Sequence, residues 1–172
     1  LIAASAMPPE EFTPAALQEL TLPPDSIVAA VIRKGEALVP GGATLIGPGD
    51  PPPYMTYNDH GTAPVLLVAD HASPFFPAGL NQLGLADWVL EEHVAWDIGS
   101  DRLAQFLADE LDAPAVLAGF SRLLVDPNRQ LDDASAFVEI SDGIAIPGNF
   151  DLDEEQKALR IQSFFKPYHD KI

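Results

Sequence analysis

The sequence contains no cysteine, so the chain can form neither a disulfide nor a thiolate metal site, and this absence fits a cytoplasmic protein. Basic residues are also few: 9 lysines and arginines stand against 26 aspartates and glutamates, giving a formal net charge of −17. A surface of that sign repels phosphates, which argues against a nucleic-acid partner. No apolar run approaches the length of a membrane span, which argues against membrane insertion.

The chain has 172 residues and is 47% hydrophobic, which is enough for the core of one domain. Prolines at position 48 and at 51–53 cannot belong to a helix interior or a central strand, so they indicate a boundary. Before it, "SIVAAVI", "EALVP" and "ATLIG" are short β-rich runs separated by "RKG" and "GG". We therefore expect a small β-hairpin or meander within 1–52 and a separate main domain over 53–172.

The pattern after the prolines predicts a layered α/β domain. The apolar run "APVLLVAD" is typical of a strand in a sheet that is covered on both faces. The order along the chain is then strand, helix, strand, strand and helix, which favours helices packed on a sheet. A capping box formed by Asp153 and Gln156 indicates the start of a final helix. The predicted strands are 63–70, 113–119 and 122–126, and the other predicted helices are 85–94 and 100–111.

His71 lies just beyond the carboxyl end of the first predicted strand, where open α/β sheets place their ligand sites. A neutral imidazole there can bind zinc, with Asp70 orienting it from behind. Asp97 could supply a carboxylate ligand if it meets His71 in space, and without cysteine a His and carboxylate set suits zinc best. The alternatives are a hydrogen-bonded loop histidine and an aspartate that only stabilises the start of the helix at 100–111.

The segment "SRLLVDPNR" ends an apolar run with charged and amide side chains. Arginines such as Arg122 and Arg129 bind carboxylates through two parallel N–H donors. Asp126 could hold either arginine in place, and the amide of Asn128 could donate a further hydrogen bond to a substrate oxygen. The segment thus predicts a pocket for a small anionic molecule, with a salt-bridged surface loop as the alternative.

These residues lie in a stretch that resembles the N-formylglutamate amidohydrolase (N-formylglutamate deformylase) family over residues 53–172. The matching text is "APVLLVADHAS", "LGLADWVLEEHVAWDIGSDRLAQFLADELDAPAVLAGFSRLLVDPNR", "EISDGIAIPGN" and "FFKPYHDKI". The resemblance implies a three-layer α/β/α sheet of the zinc exopeptidase and aspartoacylase type. It also implies hydrolysis of N-formyl-L-glutamate, or a similar N-acyl amino acid, to formate and glutamate. Because the family continues past the end of this sequence, we expect a fragment with low activity alone.

The resemblance assigns roles residue by residue. It implies that His71 is a ligand of a zinc ion and that Asp97 is its acidic partner, as a metal ligand and catalytic residue. Aspartoacylase-type enzymes carry a Glu three residues after the first ligand histidine, whereas this chain has Pro74 there. A third metal ligand and a general base therefore have no assignment from the sequence.

The same resemblance implies that the "DPNR" text holds the carboxylate of the substrate. Asn128 and Arg129 are the predicted binding residues, and Arg122 and Asp126 support them.

A second resemblance covers residues 17–50, where "LPPDS", "AAVIRKGE" and "VPGGAT" look like part of the C-terminal regulatory (RCK-type) domain of potassium uptake and conductance regulators. It implies a different function, a regulatory or ligand-binding module that acts through residues 1–50. A composite of two unrelated reading frames is a third hypothesis.

Overall fold

The structure is a computed structural model that describes residues 44–172. Its strands are β1 (Tyr54–Tyr57), β2 (Leu67–Ala69), β3 (Ala115–Ala118), β4 (Ile140–Ser141) and β5 (Ile144–Ala145). Its helices are α1 (Ser100–Leu111), α2 (Glu154–Arg160) and α3 (Lys166–Lys171), with a π-helical turn (Ile161–Phe165) between the last two. Short 3-10 segments are Ala78–Gly84, Asp87–Glu91, Ala134–Phe137 and Pro147–Asn149. The predicted mixed α/β class is confirmed, while the zinc exopeptidase type of layering stays a prediction.

Strand β3 lies at the centre of the main sheet, whose order is β1–β3–β2. It pairs antiparallel with β1 and parallel with β2, and all four of its residues are buried. Alternate side chains serve opposite faces: Ala115 and Leu117 pack with α1, whereas Val116 and Ala118 pack with Tyr168 of α3. The sheet thus holds one helix on each side, and the loops that follow β2 and β3 are fixed relative to both helices.

A larger hydrophobic cluster lies beside the sheet and is built mainly from loops and short helices. It includes Leu123 and Leu124, which fall inside the predicted strand 122–126. That prediction is wrong, because the segment forms a turn in which the N–H of Leu124 donates to the carbonyl of Ser121 at 3.1 Å. Both leucines are almost completely buried. Burial on all sides, rather than a sheet, explains the consecutive apolar residues.

The predicted helix at 85–94 is also wrong in type. Only Asp87–Glu91 is helical, as a 3-10 turn in which the N–H of Glu92 donates to the carbonyl of Val89. The residues on either side, Ala86 and Glu92, are extended, and a single turn is enough to place Val89 in the core. Packing of one side chain thus overrides the weak helical preference of the segment.

The first predicted strand forms over only part of its length, as β2, and it is an edge strand of the described sheet. Val65, Leu66 and Val68 are exposed, so the expected coverage of both faces is not found among residues 44–172. Pro64 contributes to the shortening because it has no N–H to donate to a neighbouring strand. The edge leaves an apolar strip open beside α1.

Helix α1 is confirmed within the predicted bounds, but its large apolar residues do not face the sheet. Leu103, Phe106 and Leu111 are each more than half exposed, whereas the small residues Ala104 and Ala108 pack on the sheet. Close approach of the helix through alanines explains the contact. None of the helices within residues 44–172 is long and apolar enough to cross a membrane.

The predicted capping box is confirmed at the start of α2. The N–H of Gln156 donates to the Asp153 carboxylate at 2.9 Å, and the N–H of Asp153 donates to the Gln156 side chain at 2.8 Å. The helix then widens into the π-helical turn before Pro167. A proline ring clashes with the carbonyl four residues earlier in an α-helix, and a wider turn relieves that clash.

The predicted β-rich segment lies largely outside the described residues, as does most of the regulatory-domain resemblance at 17–50. Among the described residues of that region, Leu45 is buried in the larger cluster and its N–H donates to Ser163 Oγ at 2.9 Å. The proposed boundary between 52 and 53 stays a prediction.

Gly119, which follows β3, offers a test of how closely the prolines at 51–53 approach the sheet. A Cβ at this position would collide with the backbone carbonyl of Pro52, and the N–H of Gly119 donates to the Pro53 carbonyl at 3.0 Å. We expect Gly119→Ala to lower the free energy of unfolding by about 1–3 kcal/mol, measured by urea denaturation. Gly47→Ala is the matched control, since its Cβ would meet Asp50 at an ordinary 3.4 Å. Equal stability of the two variants would contradict the described packing.

Candidate functional site

His71 lies two residues beyond the end of β2, and its imidazole is buried between two carboxylates. Its Nδ1 is 3.3 Å from Oδ2 of Asp97, and its Nε2 is 2.7 Å from Oδ1 of Asp126. The histidine therefore joins the loop after β2 to the turn at 122–126 and to the segment before α1. Asp70, predicted to orient it, instead accepts a hydrogen bond from the hydroxyl of Tyr168 at 2.6 Å.

Asp97 is held next to His71 by backbone hydrogen bonds. Its N–H donates to the His71 carbonyl at 3.0 Å, and the Ser100 hydroxyl donates to the same carbonyl at 3.2 Å. The residue that precedes α1 is Gly99, in a left-handed conformation with φ of 86°, so Asp97 does not cap the helix with its side chain. Its own carboxylate is more than half exposed and faces His71. A hydrogen-bonded cap from its side chain therefore does not account for this aspartate, and stabilisation of the helix start by its charge stays the alternative.

Asp126 is the most deeply buried carboxylate of the site, at 3% exposure. It faces His71 Nε2, accepts from Arg122 Nη2 at 2.8 Å, and accepts from the N–H of Asn128 at 2.9 Å. Burial alone would raise its pKa, but the hydrogen bonds from His71 and from the Asn128 N–H, with the charge of Arg122, bring the pKa below its ordinary value. Asp126 is therefore a carboxylate at neutral pH.

The ionised state of Asp126 decides which nitrogen of His71 carries hydrogen. A carboxylate only accepts, so the 2.7 Å contact requires a hydrogen on Nε2. In the neutral imidazole the lone pair is then on Nδ1, which is the nitrogen that faces Asp97. Carboxylates behind metal-binding histidines commonly set the tautomer in this way.

The two arginines are placed differently. Arg122 is about a quarter exposed, and it contacts both carboxylates, with Nη2 2.8 Å from Asp126 and Nη1 3.6 Å from Asp97. Arg129 is 46% exposed and reaches Asp126 only at 4.0 Å through Nε. Arg129 and the exposed Asn128 are therefore the groups with donors left for a ligand, whereas Arg122 is largely committed to the cluster.

The cluster opens onto a cleft of about 280 Å³. One wall is polar and includes His71, Asp97, Ser100 and Asn128. The apolar part of the lining comes from β2 and α1. Its lining residues include Leu67, Val68, Leu103, Ala104 and Leu107. A cleft with one polar wall and one apolar wall suits a small molecule with a charged end and a short carbon chain.

The donor set fits part of a zinc site. Two ligands of one tetrahedral zinc ion lie about 3.3 Å apart, given bond lengths near 2 Å. The separation of His71 Nδ1 and Asp97 Oδ2 matches this distance and is also within hydrogen-bond range, whereas His71 Nε2 and Asp126 Oδ1, at 2.7 Å, are closer than two such ligands. No group of three or more His, Asp or Glu residues within 44–172 is arranged to hold a metal ion.

All six predicted site residues thus meet in one cluster, although their roles stay predictions. Sequence reasoning missed that Asp126 contacts His71, and it gave no role to Ser100, Tyr168 or His169. The text "PYH" around Tyr168 was part of the family resemblance and was the available signal for the last two.

Asp126→Asn tests whether the buried carboxylate holds the site together. The asparagine cannot satisfy both His71 and Arg122, so we expect a loss of about 3 kcal/mol in the free energy of unfolding, the low end for a broken buried pair because Arg122 is partly exposed. The pKa of Asp126 in the folded state lies below its value in the unfolded chain. The contribution of Asp126 to stability is therefore present above about pH 4 and is lost as the pH falls through the folded-state pKa. Urea denaturation from pH 3 to 7 should therefore show the difference from wild type shrinking at acid pH.

The exposed Asp132→Asn is the control for this substitution, and we expect a change below about 0.5 kcal/mol. A stability difference for Asp126→Asn that stays constant over the whole pH range would contradict a role for its charge.

Comparison with known proteins connects this site to a family. The family model for N-formylglutamate amidohydrolase matches residues 63–172. In the crystal structure of the gene product Atu2144 from Agrobacterium tumefaciens, the matching part has a TM-score of 0.72 and 36% sequence identity. The match covers 74% of this chain and 50% of that chain, so this chain corresponds to about half of its neighbour.

Curated proteins gave no match, and none of the comparisons supports the regulatory-domain resemblance at 17–50. The family match extends over most of the chain and includes His71, Asp97 and the "DPNR" segment. The chain therefore belongs to the N-formylglutamate amidohydrolase family, a family of hydrolases.

Proposed function

We propose that the chain carries part of the active site of a metal-dependent hydrolase that cleaves N-formylglutamate, or a similar N-acyl amino acid, into formate and the free amino acid. The observation that carries this proposal is the imidazole of His71, which lies between Asp97 and Asp126 at the cleft and close to two arginines. A site for a cation and a site for an anion would thereby be adjacent, which suits the hydrolysis of an anionic amide.

His71 and Asp97 would hold the metal, zinc by the nature of the donors, through Nδ1 and Oδ2. Asp126 would keep the imidazole in the tautomer that leaves Nδ1 free to bind. When bound, zinc lowers the pKa of a coordinated water toward about 7 and polarises a carbonyl oxygen. Oδ1 of Asp97 faces Arg122 Nη1 at 3.6 Å, which would orient this carboxylate.

Arg129 and Asn128 would bind the carboxylates of the substrate. Arg129 is the more exposed of the two arginines and its one ion pair among the described residues is long. A guanidinium in that state can exchange a weak internal contact for a bidentate bond to a ligand. The apolar wall from β2 and α1 would contact the carbon chain of the substrate, and the fixed carboxylate would place the formyl group near His71.

The rest of the catalytic machinery would come from polypeptide beyond the described residues. A catalytic zinc ion usually has three protein ligands and a water, and the described residues offer two at suitable separation. The solved neighbour is about twice as long as the region it shares with this chain. We therefore propose that this chain alone hydrolyses its substrate weakly.

Zinc binding tests the cation site. We expect the purified chain to bind zinc, and His71→Ala to weaken that binding at least tenfold in isothermal titration calorimetry, because the imidazole supplies the only nitrogen ligand proposed. An acidic chain also binds cations at its surface, so His93→Ala is the matched control, since His93 forms an exposed pair with Asp142 at 2.7 Å. Equal zinc affinity of the two variants would contradict the proposed site.

Substrate binding tests the anion site separately. We expect Arg129→Gln to weaken binding of N-formylglutamate by about tenfold, or about 1.4 kcal/mol, because a charge-assisted pair is replaced by a neutral amide. Zinc affinity should not change. Arg102→Gln, on an exposed position of α1, is the control. Binding that is equally weakened in both variants would mean that general charge attraction, rather than Arg129, holds the substrate.

A further inference from the structure

Two consecutive residues of α3, Tyr168 and His169, each form a hydrogen bond to a different loop of the site. The hydroxyl of Tyr168 donates to Oδ1 of Asp70 at 2.6 Å, and Asp70 directly precedes His71. His169 Nε2 lies 3.0 Å from the carbonyl of Pro127, which directly follows Asp126. Because a carbonyl only accepts, the histidine nitrogen is the donor.

We propose that Tyr168 and His169 are positioning residues that hold the loop after β2 and the turn at 126–129 in the register required for His71 and Asp126 to meet. This inference rests on the proposed function, in which His71 binds the metal. Neither residue lines the cleft, so both would act through the groups that they hold.

Tyr168 is well placed to fix its loop because its ring is itself immobile. It is 1% exposed and packs on Val116 and Ala118 at the centre of the sheet, together with Tyr54. The hydroxyl therefore reaches the carboxylate from a rigid base, and a charge-assisted hydrogen bond from such a donor is among the stronger kinds. The bond spans 98 positions in sequence, so the last helix determines where the loop after β2 lies.

His169 is fixed on the other side by aromatic contacts. Its ring centroid lies 4.2 Å from that of Phe165 at an interplanar angle of 38°, and it meets the edge of the Tyr168 ring at 5.4 Å. The imidazole thus donates to the Pro127 carbonyl from a ring that two aromatic contacts hold in place. A shift of the 126–129 turn would break this hydrogen bond together with the one between Asp126 and His71.

The contacts close a ring through the site. It runs from Tyr168 to Asp70, along the chain to His71, across to Asp126, along the chain to Pro127, and back to His169. The hydrogen bond in its middle, 2.7 Å between His71 and Asp126, determines the tautomer of His71. A small displacement of either loop would therefore change which nitrogen of His71 presents its lone pair, and supports behind metal ligands typically contribute 10- to 100-fold to metal affinity.

The test combines variants that remove one property at a time. Tyr168→Phe removes only the hydroxyl. His169→Phe keeps an aromatic ring over Phe165 but has no donor, whereas His169→Gln keeps a donor and loses the ring. Tyr57→Phe is the matched control, because it removes a tyrosine-to-carboxylate bond to the exposed Asp109, at 3.1 Å, away from the site.

The readout is the 15N spectrum of the His71 ring in the full chain at mildly alkaline pH, with zinc affinity as the second measurement. We expect one tautomer, with hydrogen on Nε2, in the wild type and in Tyr57→Phe. Tyr168→Phe and His169→Phe should shift the ring resonances toward averaged values and weaken zinc binding about tenfold, and His169→Gln should restore part of both.

Wild-type ring resonances and zinc affinity in both Tyr168→Phe and His169→Phe would overturn the positioning role. If the ring resonances respond as expected while the wild-type chain binds no zinc at His71, the positioning role stands and the proposed metal site fails. Circular dichroism and urea denaturation of each variant separate these results from unfolding. If Tyr168→Phe or His169→Phe does not fold, the other is compared with Tyr57→Phe. A change in the His71 ring resonances that is absent from Tyr57→Phe then supports the role, and no change overturns it.

Discussion

The site depends on the buried carboxylate of Asp126. It faces the imidazole of His71, the guanidinium of Arg122 and the backbone N–H of Asn128, and so joins the loop after β2 to the turn at 122–128, 55 positions away between His71 and Asp126. A buried charge is costly unless it is fully paired, so the position of each partner is constrained by the need to satisfy it. One consequence concerns the tautomer, since hydrogen on Nε2 leaves the lone pair of a neutral imidazole on Nδ1, the nitrogen that faces Asp97. Another concerns the position of the arginines. Arg122 is held by Asp126, whereas Arg129 lies at the edge of the cluster and contacts Asp126 only at 4.0 Å.

The sequence predicted the members of this cluster better than it predicted the elements that carry them. Polar residues after apolar runs marked both His71 and the 126–129 turn, and this held even though 122–126 is a turn rather than a strand. An apolar run indicates that its side chains are buried, and side chains can be buried without belonging to a sheet. The contact between His71 and Asp126 could not be predicted, because it joins residues 55 positions apart through packing that no local pattern encodes. The same holds for Tyr168, whose partner Asp70 is 98 positions away.

The helices show a similar division between local and long-range information. The helical spacing of apolar residues predicted α1, and the capping box predicted the start of α2, because both signals depend on residues within one or two turns. Which side of α1 is covered was not predictable, since Ala104 and Ala108 contact the sheet while Leu103 and Phe106 are exposed. Those exposed residues and the free edge of β2 adjoin the cleft.

The most direct measurement is a crystal structure of the zinc-soaked chain with an anomalous difference map at the zinc absorption edge. The account predicts a peak bonded to Nδ1 of His71 and to the Asp97 carboxylate, with Asp126 still hydrogen-bonded to Nε2. A peak bonded to Nε2, with Asp126 displaced, or an ordered zinc ion that does not contact His71, would contradict it.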